Sequence, residues 1–568
     1  MAMKCPVGLA ALWGRHGSQE SLARVLETMR DEHELMTISS LRRIRASSVS
    51  FGESLYRRIA QDNWRIREIH HRIESDLSGE MVFEIRIDEY LLHFVVYANP
   101  DGPGPRDGRL RDNGFDLQGV LYEGPLDWGR IHREGTEIRE KVWGGRTTND
   151  TLAWTFANRS SRLFKDMRSG KKIDLNERLK VGGYILRNAG AYANGRHGSR
   201  AWMMLPEDHP LKYPYRMDMF CLYLWRLAGF ALVDDFCAKH PEITPLTEAT
   251  KRNVGVGNSS GIGTVATLVR WPSVLAATAF AREFVIAHAL VKTDPLGLEE
   301  LELILERLKM AVQGAEFAAQ SDEAALPLVV ELRKLREICE LARSGEEQPA
   351  SALFAAAESA VSPEALEELR SALTFVDREG TEIAEQIIPL LIGFDRATAP
   401  ERLVSEERVY LANEFGWALD IDMSTEASMH YFWYKSEQNG ENRRGERRTD
   451  EGVDRETFVN MPGALRDYAQ ALSEAPDNWT LGRLLLASPE HSMIAARVNL
   501  SRALPCTTIH GNVLHKNFRP ADLIRYFLSI LGLGHLAENS NQWVTGVGYS
   551  GIPVLLDTEV ERKQEVFV

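Results

Sequence analysis

The segment Ala193-Asn-Gly-Arg-His-Gly-Ser-Arg200 sets an imidazole between two guanidiniums. Arg196 and Arg200 suit bidentate capture of a carboxylate or phosphate, and His197 between them suits proton transfer near neutral pH. Neighbouring cations favour the neutral ring, which is the form a base requires. Gly195 and Gly198 predict a turn, a place where functional side chains are presented. Tyr192, His430 and Tyr434 are the candidate partners in proton transfer. The competing reading is a solvated surface loop.

A second anion-binding candidate is Gly255-Val-Gly-Asn-Ser-Ser-Gly-Ile-Gly-Thr264. Small residues let backbone amides approach a ligand. The segment is expected to run into an apolar helix from about Thr264 to Val291, kinked or broken at Trp271-Pro272, whose start would concentrate unpaired donors and positive dipole. Asn258, Ser259 and Ser260 add side-chain donors. The segment lacks the Gly-Lys-Ser/Thr ending of a P-loop and the preceding strand of a dinucleotide-binding turn. Over a few residues it resembles the serine loop of the fumarase/aspartase lyases. Their Met-Pro and lysine-asparagine continuation is replaced here by Gly261-Ile-Gly-Thr-Val, so no residue role carries over.

The third candidate joins His430-Tyr-Phe-Trp-Tyr-Lys-Ser-Glu437 to Glu441-Asn-Arg-Arg-Gly-Glu-Arg-Arg448. Aromatic rings there suit stacking on a planar ligand, while Arg443 and Arg444 hold its anionic end. Two carboxylate pairs invite comparison with metal sites. Asp420 and Asp422 would share one face of a short strand at Trp417–Met423, although a satisfied turn or cap is the favoured reading of the pair. Asp234-Asp235 near the end of an apolar helix have no second acidic motif beside them. The histidines show no metal-ligand spacing, and the reading calls for no cofactor or metal.

Composition narrows the partners. Lys+Arg 67 against Asp+Glu 81 gives 67 − 81 = −14, a balance that argues against wrapping duplex nucleic acid. Five cysteines lie far apart, are odd in number and form no Cys-x-x-Cys pair, which suits a reducing compartment. No apolar run approaches the ~20 residues that span a bilayer, and the opening residues lack the pattern of a signal peptide. The expectation is a cytoplasmic protein with an anionic small-molecule substrate, no nucleic acid and no membrane partner; a homo-oligomer is allowed.

Positioning these groups requires a scaffold, and the periodicity predicts a mainly α protein with a small β component (α+β). Its parts are a large helical core, a short N-terminal β-pair and a mixed C-terminal region. Residues 19–76 read as helix on the stripe Leu22, Val25, Leu26, Met29. Phe83, Ile85 and Ile87 alternate with charged residues before the apolar run Leu91–Tyr97, which makes the β-pair. Helices are expected from about 145 to 240, with Met217–Ala238 buried on most sides. Leu328, Leu332, Leu335 and Cys339 mark an amphipathic helix, and Ser362-Pro363-Glu364 reads as a helix start. Domains are placed at 1–118, 119–295, 296–400 and 401–568.

The functional expectation is an enzyme acting on a carboxylate- or phosphate-bearing small molecule by general acid/base chemistry, of lyase or hydrolase type. The first rival is an oxidoreductase holding a nucleotide or flavin at the Gly-Ser segment. The second is a non-enzymatic helical scaffold or regulatory module.

Overall fold

Three consecutive strands pair in turn, β1 (Arg65–Ile73), β2 (Gly79–Ile87), along which apolar and charged residues alternate, and β3 (Tyr90–Ala98). In the β2–β3 pair Phe83 faces Phe94 and Ile85 faces Leu92. The sheet continues through β4 (Leu117–Glu123), β5 (Thr151–Arg159) and, past the two-residue β6 (Ile173–Asp174), to β7 (Tyr184–Ala193). It is completed by β8 (Arg196–His197) and, beyond the two-residue β9 (Ile243–Thr244), by β10 (Gly255–Asn258). The order is β1-β2-β3-β4-β5-β7-β10, with β8 also pairing to β7 and β6 pairing separately with β9. All pairings in the large sheet are antiparallel except β7–β10.

The computed structural model describes residues 9–99, 116–133, 151–179, 184–193, 196–197, 205–258, 272–321, 326–392, 400–420, 461–499 and 529–532, apart from positions 36, 42, 63, 130, 493, 496 and 497. The chain divides into two compact units. Met1–Val49, Val265–Arg448 and Glu456–Ile530 form a helical unit; Ser50–Thr264, Thr449–Arg455 and Leu531–Val568 form the sheet unit.

A mainly α chain with a short N-terminal β-pair is therefore not what forms. The β component is an eight-stranded sheet, among the described residues, running from Arg65 to Asn258. Burial on both faces erases the period-two signal that would have announced its later strands. Every residue of β5 is buried, and six of the seven in β4 are. The helix expected over 19–76 forms as separate pieces, Gln19–Thr28, Glu32–Leu35, Ile38–Leu41 and Phe51–Gln61, and the Arg/His-rich stretch 65–73 is instead an edge strand with a bulge between Glu68 and His70.

One face of the sheet is covered by the Arg216–Lys239 helix, which is buried along most of its length, as its apolar composition predicts. Trp225 makes the central contact. Its ring meets Phe94 edge-on at 5.4 Å, and its Nε1 donates to Thr155 Oγ1 at 2.8 Å. Gly119 makes this packing possible, because a Cβ there would lie 2.6 Å from Phe94 Cζ and 2.9 Å from Thr155 Cγ2. Gly119→Ala should therefore lower stability by about 1–3 kcal/mol through overpacking, read as a shift in the urea midpoint. A change under ~0.5 kcal/mol would mean that the layer relaxes freely.

In the helical unit a helix is described from Pro272 to Val291, beginning where Trp271-Pro272 predicts a kink or break; the part expected from Thr264 to Trp271 lies outside the described residues. The Leu298–Ser321, Leu326–Ser344, Ala350–Glu358 and Pro363–Val376 helices share one core that includes Leu308, Leu332, Leu335, Cys339, Leu353 and Leu369. Ser362 caps its helix as predicted, accepting from Ala365 N. Trp417–Leu419, expected as strand, ends the Val404–Leu419 helix, and Asp420 is its C-cap. Among the described residues, no helix is long and apolar enough to cross a membrane.

Candidate functional site

Directly opposed residues of an antiparallel ladder share a face. The register runs His70–Val82–Val95–Val120–Trp154–Tyr192–His197, one residue from each of seven strands, and Val82, Val95, Val120 and Trp154 lie on the face away from the Trp225 helix. Val82, Val95, Val120 and Trp154 pack there with Tyr97, Tyr122 and Ile131. Beside them runs a second row, Glu80–Tyr97–Gln118–Phe156–Gly190. Tyr97 Oη donates to the Ile131 carbonyl at 3.2 Å. Buried Glu80 lies 3.3 Å from His70 Nε2 and 3.5 Å from His132 Nδ1, and Trp128 stands edge-on to His70.

Besides His70 Nε2, which has Glu80 within ion-pair distance but no hydrogen bond, two buried polar atoms on this face lack a hydrogen-bond partner, Gln118 Oε1 and Trp154 Nε1. Their residues are 1% and 7% exposed. Burying such a group without a partner costs about 1–3 kcal/mol, so these are the atoms on the face for which a ligand would supply what the fold does not.

The backbone brings several of the sequence-derived residues to one strand, β7. Ala193 pairs with Arg196 and Tyr192 with His197, leaving two residues, Asn194 and Gly195, between the partners. On the same edge of β7, Asn258 pairs in parallel with Asn188, four residues before Tyr192 and so about 13 Å along the strand. Arg226 fixes β10 in place by donating to the carbonyls of Val254 (3.1 Å) and Lys251 (2.7 Å). Gly255–Asn258 is strand, and the expected continuity from the Gly-Ser segment into a helix start falls at residues 259–271, which lie outside the described residues. Arg200, Ser259, Ser260, His430, Tyr434, Arg443, Arg444 and Asp422 lie outside the described residues.

Other groups that invited a chemical reading are satisfied internally. Asp234 and Asp235 pair with Lys251 (3.0 Å) and Lys239 (2.8 Å). Among the described residues, no group of three or more His, Cys, Asp or Glu could hold a metal ion. Burial pushes the Cys237 thiol up to about 11 and Cys339 to about 12, so neither is a ready nucleophile. In the sheet unit, burial pushes His209 down to about 4, leaving it neutral; its Nδ1 accepts from Leu211 N at 3.0 Å.

The helical unit holds a buried His288–Asp377 pair, Nδ1 to Oδ2 at 2.6 Å, with Lys292 Nζ on the other carboxylate oxygen at 2.8 Å. Burial alone would raise the Asp377 pKa; the bonds from His288 and Lys292 outweigh it and hold the carboxyl below its usual range. Asp377 also accepts from Gly380 N at the start of the Arg378–Ile392 helix. That capping role accounts for the pair without a ligand.

Sequence reasoning missed Trp154, Gln118 and Glu80. The signal available was a polar residue within an apolar stretch, Leu117-Gln-Gly-Val-Leu-Tyr122, once that stretch is read as strand. Comparison of the chain with family models, curated proteins and solved structures found no match.

Proposed function

We propose that the sheet unit carries a cytoplasmic enzyme's site for an anionic small molecule, working by general acid/base chemistry of the lyase or hydrolase kind. The observation that carries the reading is the register of β8 on β7: His197 lies opposite Tyr192, which lies opposite the buried Trp154. A proton-transfer pair thus borders a face with unsatisfied polar atoms. Arg196 precedes His197, and Asn258 ends a strand on the same edge of β7. In this reading Arg196 and Arg200 hold the anion, and Asn258, Ser259 and Ser260 add donors to it. His197 acts as base and Tyr192 as its partner, and the proton moves without help from a cofactor.

A panel of carboxylates and phosphomonoesters, scored by thermal shift, tests the proposal. Wild type should be stabilised by some members, and Arg196→Gln should lose that stabilisation. On the stabilising compounds His197→Gln should cut turnover by about 10²–10⁴-fold with the melting temperature retained. Equal stabilisation of Arg196→Gln, or full turnover by His197→Gln, would remove the reading.

A further inference from the structure

Beyond the end of β4 the chain turns back over the face that carries Val82, Val95, Val120 and Trp154, and Leu126 and Ile131 pack into that apolar cluster. Ile131 N donates to the Asp127 carbonyl at 3.0 Å within the turn, and Tyr97 Oη donates to the Ile131 carbonyl. Neither the apolar contact nor these bonds respond to pH near neutrality. The contact beside them does, because Glu80, His70 and His132 make it. Trp128 lies against both imidazoles, edge-on to His70 at 5.1 Å and tilted to His132 at 6.4 Å.

The Glu80 side chain is 7% exposed, and among the described residues no Lys or Arg pairs with it. Arg72 stands opposite on β1 but is exposed and turns to Glu74 at 3.4 Å. The groups that face the carboxylate are the two imidazoles, His70 Nε2 at 3.3 Å and His132 Nδ1 at 3.5 Å, both on Oε1. Each separation is longer than the roughly 2.7–3.2 Å of an N–H···O bond, and His70 Nε2 makes no hydrogen bond. Other charges nearby are paired elsewhere: His71 with Glu68 and Asp235, and Arg67 and Arg86 with Glu84. Asp127 and Arg133 belong to the turn and stand on either side of Gly129. From β3 and β4 the row offers only Tyr97 and Gln118. A carboxylate taken from water without a counter-charge is costly. Here a protonated imidazole is what supplies one, and imidazole is the side chain that changes charge between about pH 5 and 8.

We infer that the turn carrying Leu126, Trp128, Ile131 and His132 is a proton-operated clasp over this face, closed when an imidazolium of His70 or His132 pairs with Glu80. In mildly acidic medium the pair forms and the turn is held down. As pH rises towards 8 both rings lose charge, the carboxylate gains more from water than from its neighbours, and the turn lifts. The inference stands on the clasp alone and is independent of the function proposed above.

Hydrogen exchange of the full chain, read by mass spectrometry on a peptide spanning 126–133 and corrected for the intrinsic rate at each pH, tests it. Wild-type protection should be about fivefold higher at pH 6 than at pH 8. Glu80→Gln, which keeps the shape and removes the charge, should bring that ratio close to one. The double variant His70→Asn/His132→Asn should do the same, and it leaves Glu80 in place. Tyr97→Phe loosens the turn without touching the clasp, so protection should fall at both pH values with the ratio kept. Equal protection of wild type at the two pH values would overturn the inference. So would a ratio that survives in both Glu80→Gln and the double histidine variant.

Discussion

Glu367→Ala should destabilise the helical unit by about 3–5 kcal/mol, because it breaks a closed ring of buried charge. Arg30 grips Glu283 through Nε (2.8 Å) and Nη2 (2.6 Å) and reaches Glu367 through Nη1. Arg282 bridges the same two carboxylates, Nη1 to Glu283 at 3.0 Å and Nη2 to Glu367 at 2.8 Å, and also bonds Ser371. Arg282, Glu283 and Glu367 are only 2–3% exposed. With Glu367 gone, Arg30, Arg282 and nearby Arg370 confront one carboxylate in a site with little water to replace the other. Their repulsion then has no local answer. Glu367→Gln keeps the shape and should cost less than the alanine variant.

The pH dependence carries a definite sign. Burial would raise the Glu367 pKa, but the charges of Arg282, Arg30 and Arg370 win and lower it from 4.5. The folded-state value lies below the unfolded one, so the contribution is complete above about pH 4.5 and is lost as pH falls through the folded value. Urea midpoints at pH 7 and pH 3 check this. A loss below ~1 kcal/mol for Glu367→Ala at pH 7 would mean that the ring is hydrated in solution.

What was legible in the residues was mostly local chemistry. Ser362-Pro363-Glu364 announces its helix because a hydroxyl cap, a proline first turn and an acidic dipole partner act within four residues. The 216–239 helix is legible for a different reason, since a strongly apolar run of that length suits a helix buried on most sides. β2 and β3 were readable because one of them alternates. β4 and β5 were not: their neighbours on both faces come from distant parts of the chain, so neither face stays polar. β1 failed for the opposite reason, since an edge strand with a bulge carries charge where a helix face would.

The same distinction governs the site. Asn194-Gly195 signals a turn on its own, and the backbone partners around it put Tyr192 opposite His197. Gln118 and Trp154 meet through pairing between strands more than thirty residues apart, and no local pattern encodes that. Asp420 is a helix C-cap, the turn-or-cap reading that the sequence favours, because Trp417–Leu419 ends a helix and not a strand, a boundary where polar residues satisfy carbonyls and amides.

Asp218→Asn should make the sheet unit more stable at pH 8 and leave it nearly unchanged at pH 4. Asp218 lies in the first turn of the Arg216–Lys239 helix, and no ion pair reaches it among the described residues. Burial pushes its pKa from 3.8 up to about 7, against a smaller pull from its own backbone amide. The folded state therefore keeps a proton that the unfolded chain gives up near pH 4. Stability should fall as pH rises from about 4 to 7 and level off above, the reverse of the Glu367 case. At 1.36 kcal/mol per unit, the full shift corresponds to roughly 4 kcal/mol. That figure is an upper limit, because part of the residue's surface stays accessible and water can relieve the charge. His209, pushed down to about 4, contributes the opposite slope between its unfolded value near 6.5 and pH 4. The difference between wild type and Asp218→Asn cancels that histidine term, since both proteins carry it. Urea denaturation at half-unit steps from pH 4 to pH 8 gives two curves. They should coincide at the acid end and separate above pH 5, with the asparagine protein on top. Parallel curves across the range would mean that Asp218 titrates as a solvated carboxylate.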